Sequence, residues 1–148
     1  MLEIDGSMGE GGGQVIRSAV ALSALTGREF RIYGVRAGRP KPGLAPQHLA
    51  AIRSVRDLCG GELTGDHIGS EEVTFRPGDT RKTNLVMNVG TAGSVTLVIQ
   101  ACLLPLAGWG ESNLYIRGNE EYLLPLAGWG ERASLTVQGG TDVRWAPP

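Results

Sequence analysis

The chain has 148 residues, with 14 Lys and Arg against 15 Asp and Glu, a net charge of −1 and a pI near 6.1. This near-neutral balance excludes a generally basic protein that coats RNA through charge alone. A hydrophobic share of 41% and a charged share of 20% are ordinary for a globular domain, and the length suffices to bury a core.

Hydrophobic periodicity, with glycine and proline breaks, predicts strands at 2–5, 29–35, 61–64, 71–76 and 84–89 and helices at 12–25, 45–59 and 92–104. Two further strands are predicted near 113–117 and 134–138. The first six elements form a βαβαββ unit, so we expect an α+β fold of two layers, with helices packed on one face of a mixed sheet. A single domain over 1–148 is predicted, with a first unit at 1–80 and a partial second unit at 81–148.

The segment at 6–13, which leads into the first predicted helix and overlaps its start, is rich in glycine. Its glycines let an anion approach the backbone closely, and the free N–H groups at a helix start attract negative charge. Glu10 in this loop suits a phosphate only with a divalent cation between them, whereas Arg17 in the helix can pair with phosphate directly. The loop carries no Walker A or GxGxxG signature, so a flexible turn with a solvated Glu10 is the alternative.

Three cationic residues follow the predicted strand at 29–35, on a loop stiffened by proline. They are Arg36, Arg39 and Lys41, which lie within six residues of sequence. They form either an anion-binding loop or a solvated surface. Gln47 and His48 open the next helix, where they bind phosphate or ribose or serve as ordinary polar residues. The GTAGS segment at 90–94 is either a second anion-binding turn or a capped strand-to-helix turn.

Together these motifs resemble the RNA 3'-terminal phosphate cyclase family. The resemblance rests on EGGGQ at 10–14 with Arg17, RAGRPKPGL at 36–44 with Gln47 and His48, GTAGS at 90–94 with Gln100, and GGTD at 139–142 followed by APP at 146–148. It covers nearly all of this chain but only the amino-terminal part of the family's length. The resemblance implies a ligase that uses ATP and Mg²⁺ or Mn²⁺ to convert an RNA 3'-phosphate into a 2',3'-cyclic phosphate through a histidine–AMP intermediate.

The resemblance also implies roles for particular residues. Glu10 corresponds to the metal ligand, and the phosphate- or nucleotide-binding set is Arg17, Arg36, Arg39, Gln47, His48 and Gln100. The family's nucleophilic histidine falls beyond Pro148, and neither His48 nor His67 matches it. No catalytic residue is therefore identified, and we expect the isolated chain to be inactive.

The implied partners are ATP and RNA 3'-phosphate ends, and self-association or a carboxyl-terminal partner would cover the surfaces that an incomplete fold exposes. Two alternatives stay open. One is a non-catalytic RNA-end or nucleotide-binding module related to the cyclases, and the other is an engineered structural fragment.

The nonapeptide LLPLAGWGE occurs at 103–111 and again, unchanged, at 123–131. Each copy precedes an alternating, strand-like segment that ends in glycine, so the pattern indicates a tandem duplication. Cys59 and Cys102 lack CxxC spacing and are predicted to be buried thiols. Neither a signal peptide nor an apolar stretch long enough to span a bilayer is predicted, and a cytoplasmic location away from membranes is expected.

Overall fold

The computed structural model describes residues 1–81, 84–88, 92–109, 113–117, 134–138 and 142–146, and side chains within 1–81, 97–106 and 108–109. Its elements in chain order are β1 (Leu2–Asp5), α1 (Gln14–Thr26), β2 (Phe30–Tyr33), α2 (Pro46–Cys59), β3 (Glu62–Thr64), β4 (Val73–Arg76), β5 (Asn84–Asn88), α3 (Ala92–Trp109), β6 (Asn113–Arg117), β7 (Ser134–Gln138) and β8 (Asp142–Ala146). The first six elements follow the predicted βαβαββ order.

The first sheet has the strand order β1-β2-β4-β3, in which β1 and β2 are parallel and the other neighbours are antiparallel. Its two faces differ sharply, as the alternation of side chains in a strand requires. Phe30 and Ile32 on β2 are buried, whereas Arg31 between them is partly exposed and bonds Glu3 at 2.8 Å and Glu72 at 2.7 Å. One face is therefore apolar and the other is covered by charged groups.

α1 and α2 contact strands of the first sheet, and α3 packs on these two helices. α1 contributes Ile16, Val20 and Ala24, which lie one turn apart on one side of the helix. α3 packs against both α1 and α2, so it joins the core of the first sheet, where Cys102 and Leu106 are fully buried. The α+β class and the packing of helices on one face of a mixed sheet are confirmed, as is the burial of both cysteines.

α3 is longer than its sequence pattern predicts. The sequence pattern predicts a helix that ends at residue 104, and Pro105 cannot donate a backbone hydrogen bond within a helix. The helix nevertheless continues to Trp109, with Pro105 inside it. Leu106 is fully buried beyond the proline, and Arg81 lies over the Trp109 ring at 5.9 Å from its centroid, so packing of the last turn outweighs the lost bond.

Strands β5 to β8 form a second sheet with the order β5-β6-β8-β7, which repeats the pattern of one parallel and two antiparallel pairs seen in the first sheet. β8 was not predicted from the sequence. The second copy of the nonapeptide, at 123–131, lies outside the described residues. Among the helices that the structure describes, none has the length and apolar character to cross a bilayer.

Candidate functional site

The glycine-rich loop leads directly into α1. Gly9 and Gly11 have φ values of 64° and 61°, in the left-handed region that favours glycine, and the Gly11 amide donates to the Met8 carbonyl at 3.1 Å. Gly13 is the residue before α1 and provides no side-chain cap, and the first turn of α1 contains no acidic residue. The amino-terminal end of α1 is thus open to an anionic ligand.

His48 brings the start of α2 to the same point. The ring is 5% exposed, and its Nδ1 accepts a hydrogen bond from the Ala45 amide at 3.1 Å. Its Nε2 lies against Gly13, so closely that a β-carbon at Gly13 would overlap the ring. Burial, followed by the charges of Arg36 and Arg17, lowers the pKa of His48 to about 4. At neutral pH the ring is therefore uncharged, with its proton on Nε2 facing the loop.

Arg17 approaches Gly13 on the same side as His48. Its Nη2 donates to Gln14 Oε1 at 2.9 Å, and its Nη1 would lie 2.9 Å from a β-carbon at Gly13. Its Nε is buried and has no hydrogen-bond partner among the described residues, and burial lowers the pKa of the guanidinium. A buried donor without a partner is costly, and it marks a position where a ligand oxygen would be bound favourably.

A groove between α1 and α3 adds Gln100 to this group. Its volume is about 190 Å³, and Gln14, Arg17, Ser18 and Gln100 are the polar residues of its lining. Gln14 also donates through Nε2 to Ser18 Oγ at 2.8 Å, which orients the amide that holds Arg17. Gln14 was not among the predicted site residues, although it ends the EGGGQ motif and stands three positions before Arg17.

The basic loop after β2, residues 36–44, contacts the glycine-rich loop. Arg36 has a φ of 52°, unusual for a residue with a side chain, and its Nη1 donates to the Gly43 carbonyl at 2.7 Å across the base of the loop. Arg39 reaches the glycine-rich loop, where its Nη2 donates to the Glu10 carbonyl at 3.0 Å and would lie 3.0 Å from a β-carbon at Gly12. The two loops predicted from sequence are therefore in contact.

The arginines of this site differ from most of the other arginines in residues 1–81, of which Arg28 and Arg81 also form no ion pair within the described residues. Four others pair with carboxylates, namely Arg31, Arg53, Arg56 and Arg76. Within the described part of the chain, Arg17, Arg36 and Arg39 form no ion pair with any carboxylate. Three unneutralised guanidinium groups beside two helix amino termini create a strongly positive region in a chain whose net charge is −1.

The remaining predicted residues are less constrained. Glu10 is exposed, and no group of three potential metal-binding side chains occurs in the described residues. A single carboxylate is still sufficient for a magnesium ion that takes its other ligands from phosphate and water. Gln47 lies partly buried beside His48, whereas His67 is exposed on a separate turn. Gly90 and Thr91 of the GTAGS segment lie outside the described residues.

Comparison with known proteins identifies the family of the chain. The family model described as RNA 3'-terminal phosphate cyclase matches residues 8–148. The chain is 49% identical over 148 residues to the RNA 3'-terminal phosphate cyclase of Archaeoglobus fulgidus, 47% over 148 residues to that of Nitrosospira multiformis and 44% over 149 residues to that of Methanopyrus kandleri. Each alignment covers 100% of this chain but only 39%, 36% and 36% of the respective relative. The chain belongs to the RNA 3'-terminal phosphate cyclase family.

Proposed function

We propose that this chain carries the phosphate-binding part of an RNA 3'-terminal phosphate cyclase. The supporting observation is the convergence of Arg17, Arg39 and His48 on the glycine-rich loop, with no carboxylate paired to either arginine in the described residues. The ligands of this region would be the phosphates of ATP and the 3'-phosphate of an RNA strand.

Each group has a definite part in binding such a ligand. The amides at the start of α1 and the guanidinium groups of Arg17 and Arg39 donate to phosphate oxygens with charge assistance. The uncharged His48 donates through Nε2, and the amide of Gln100 faces the same groove as Arg17. Gln47 and Arg36 complete the proposed set, and Glu10 would hold Mg²⁺ or Mn²⁺ against the phosphate oxygens.

We propose that the complete protein carries out the reaction in three steps. A histidine nitrogen attacks the α-phosphorus of ATP and releases pyrophosphate, and the AMP then passes to the RNA 3'-phosphate. In that transfer an oxygen of the RNA 3'-phosphate attacks the AMP phosphorus, and the bond from phosphorus to histidine breaks. The neighbouring 2'-hydroxyl oxygen then attacks the phosphorus of the RNA 3'-phosphate, its proton passes to solvent, and AMP leaves, which gives the 2',3'-cyclic phosphate. The residues described above bind and neutralise phosphate in each step.

His48 is poorly suited to be the attacking histidine. The Ala45 amide occupies the lone pair of Nδ1, and Nε2 carries the proton, so the neutral ring has no lone pair available for attack. This observation favours a second candidate function for the isolated chain, that of a module that binds RNA ends or nucleotide without chemistry. We propose that a carboxyl-terminal portion or partner supplies the nucleophile in the cyclase.

The apolar end of the α1–α3 groove offers a surface for such a portion. Leu22 and Leu104 line the groove and are 49% and 42% exposed. Large apolar side chains exposed together are typical of contact surfaces. Self-association of this chain would cover the same surface. We also propose a cytoplasmic location.

Binding of defined RNA ends tests the proposed function. Two labelled oligoribonucleotides of one sequence, ending in a 3'-phosphate or a 3'-hydroxyl, are titrated with the chain at fixed salt, because phosphate contacts are salt-dependent. The proposal predicts tighter binding of the 3'-phosphate strand and loss of that preference in Arg39→Ala. Equal affinity for the two strands would show that the site does not recognise RNA 3'-phosphates.

Mass spectrometry tests whether a histidine of the isolated chain can act as the nucleophile. The intact chain is weighed after incubation with ATP and Mg²⁺ or Mn²⁺ under non-acidic conditions that preserve a phosphoramidate. An unchanged mass is expected if the chain binds without chemistry. A gain of one AMP that disappears in His48→Gln would instead identify His48 as a nucleophile and overturn the assignment of its lone pairs.

A further inference from the structure

Strands β6 and β7 flank β8 in the same register. Trp145 on β8 lies opposite Leu114 on β6 and also opposite Leu135 on β7. Val143 lies opposite Ile116 and Val137 in the same way. Both strands are antiparallel to β8, so they run in the same direction as each other.

The shared register follows the sequence duplication. Leu114 and Leu135 stand 21 residues apart, as do Ile116 and Val137, and each strand follows one copy of LLPLAGWGE. A slip of one residue would place the related positions on opposite faces of the sheet. Four successive pairs keep the relation, from Leu114 and Leu135 opposite Trp145 to Arg117 and Gln138 opposite Asp142. The two strands thus have the same pairing with β8 and corresponding positions after the nonapeptide, although Leu114 and Leu135 are the one identical pair within them.

In the sheet, the two strands differ in their second neighbour. β6 also pairs with β5, in parallel, whereas β7 ends the sheet. Because β7 has the same direction and register as β6, β7 can be placed between β5 and β8 with every β8 partner retained. The three residues that connect β7 to β8 can still join neighbouring strands in that arrangement.

We propose that β6 and β7 are interchangeable occupants of one strand position between β5 and β8. The second sheet then has two alternative arrangements, and either repeat unit is sufficient to complete it. This inference rests on strand pairing and does not depend on the proposed function.

Proline substitutions test whether β6 and β7 are interchangeable. Proline removes a hydrogen bond between strands, so it is tolerated at sheet edges but not in central strands. The variants are Ile116→Pro, Val137→Pro and both together, and the readout is protection of the Trp145 amide from hydrogen exchange in the full chain. Val143→Pro, on the strand that has no duplicate, gives the value expected when the sheet is lost.

If β6 and β7 are interchangeable, the Trp145 amide stays protected in each single variant and loses protection in the double variant. Loss of protection in Ile116→Pro alone would show that β6 has a fixed place, and loss in Val137→Pro alone would show the same for β7. Protection in all three would show that neither strand is required. Each of these three results would overturn the proposal.

Deletion of residues 112–132 provides an independent test. It joins Glu111 to Ala133 and places Leu135 at the same distance from Glu111 as Leu114 has in the full chain. If β6 and β7 are interchangeable, the shortened chain has a protected Trp145 amide and unfolds cooperatively. A shortened chain in which Trp145 is unprotected while the Phe30 and Phe75 amides of the first sheet stay protected would contradict the proposal without a general failure to fold.

Discussion

The imidazole of His48 lies directly against Gly13, so the first turn of α2 and the residue before α1 form one contact. The Ala45 amide holds the ring from the other side at 3.1 Å. This contact leaves no space for a side chain at residue 13, and Arg17 lies beside it. Its consequences can be measured separately from any catalytic assay.

Gly13→Ala is expected to displace His48. A β-carbon at this position would overlap the imidazole, and overpacking of this kind destabilises by about 1–3 kcal/mol. Urea unfolding would measure the loss, and titration with inorganic phosphate would show weaker binding. Gly38→Ala is the matched control, because a β-carbon at Gly38 has no neighbour within 4 Å. Equal stability of the two variants would contradict the described contact.

The stability of the chain should fall as the pH is lowered from about 6.5 to about 4. In the folded chain the pKa of His48 is lowered to about 4, whereas an unfolded histidine titrates near 6.5, so the unfolded state binds the extra proton across this interval. The contribution of uncharged His48 to the free energy of unfolding is fully present above the pKa of an unfolded histidine and is lost as the pH falls. It is on the order of 1–3 kcal/mol.

His48→Gln isolates this contribution, since glutamine does not titrate. Unfolding free energies of the parent and of His48→Gln are compared at pH 7 and pH 5. The parent should lose more stability between these values than the variant loses. A parallel decline in both chains would indicate that His48 titrates normally.

Arg39→Ala should weaken phosphate binding by about 1.5–3 kcal/mol, the range of a charge-assisted hydrogen bond. Arg76→Ala removes the same charge from the outer face of the sheet, where Arg76 pairs with Glu29 at 3.2 Å, and should leave binding nearly unchanged. Calorimetry with ATP measures both. Equal effects of the two substitutions would indicate attraction by net charge and no specific contact with Arg39.

Glu10→Gln should abolish the metal-dependent part of ATP binding and spare the rest. The carboxylate would bind the cation, whereas Arg39 contacts only the Glu10 carbonyl, which the substitution retains. ATP affinity is measured with Mg²⁺ and with EDTA for parent and variant. If Mg²⁺ strengthens binding to the same extent in both, Glu10 does not hold the metal.

Most of the fold could be predicted from local patterns. The apolar positions of α1, from Ile16 through Val20, repeat once per turn, and glycines at 27 and 60 end α1 and α2 in the left-handed conformation. The continuation of α3 past Pro105 could not be predicted in this way. It depends on the buried Leu106 and on the pairing of Trp109 with Arg81, which are contacts made only in the folded chain.

For the site too, local sequence patterns predicted some features, whereas others depend on contacts made only in the folded chain. The residue types of the two loops indicated phosphate binding, because glycine, arginine and a helix start act locally. The contact of His48 with Gly13 joins segments 35 residues apart, and the missing partner of Arg17 Nε reflects burial between helices. Neither property is encoded in a local pattern, so the protonation of His48 and the role of Gln14 required the structure.

The most direct measurement is a binding comparison between RNA strands that end in 3'-phosphate and in 3'-hydroxyl, made with the parent chain and with Arg39→Ala at one salt concentration. The account predicts tighter binding of the 3'-phosphate strand by the parent chain and a much smaller preference in the variant. Equal affinity of the parent chain for the two strands would contradict it.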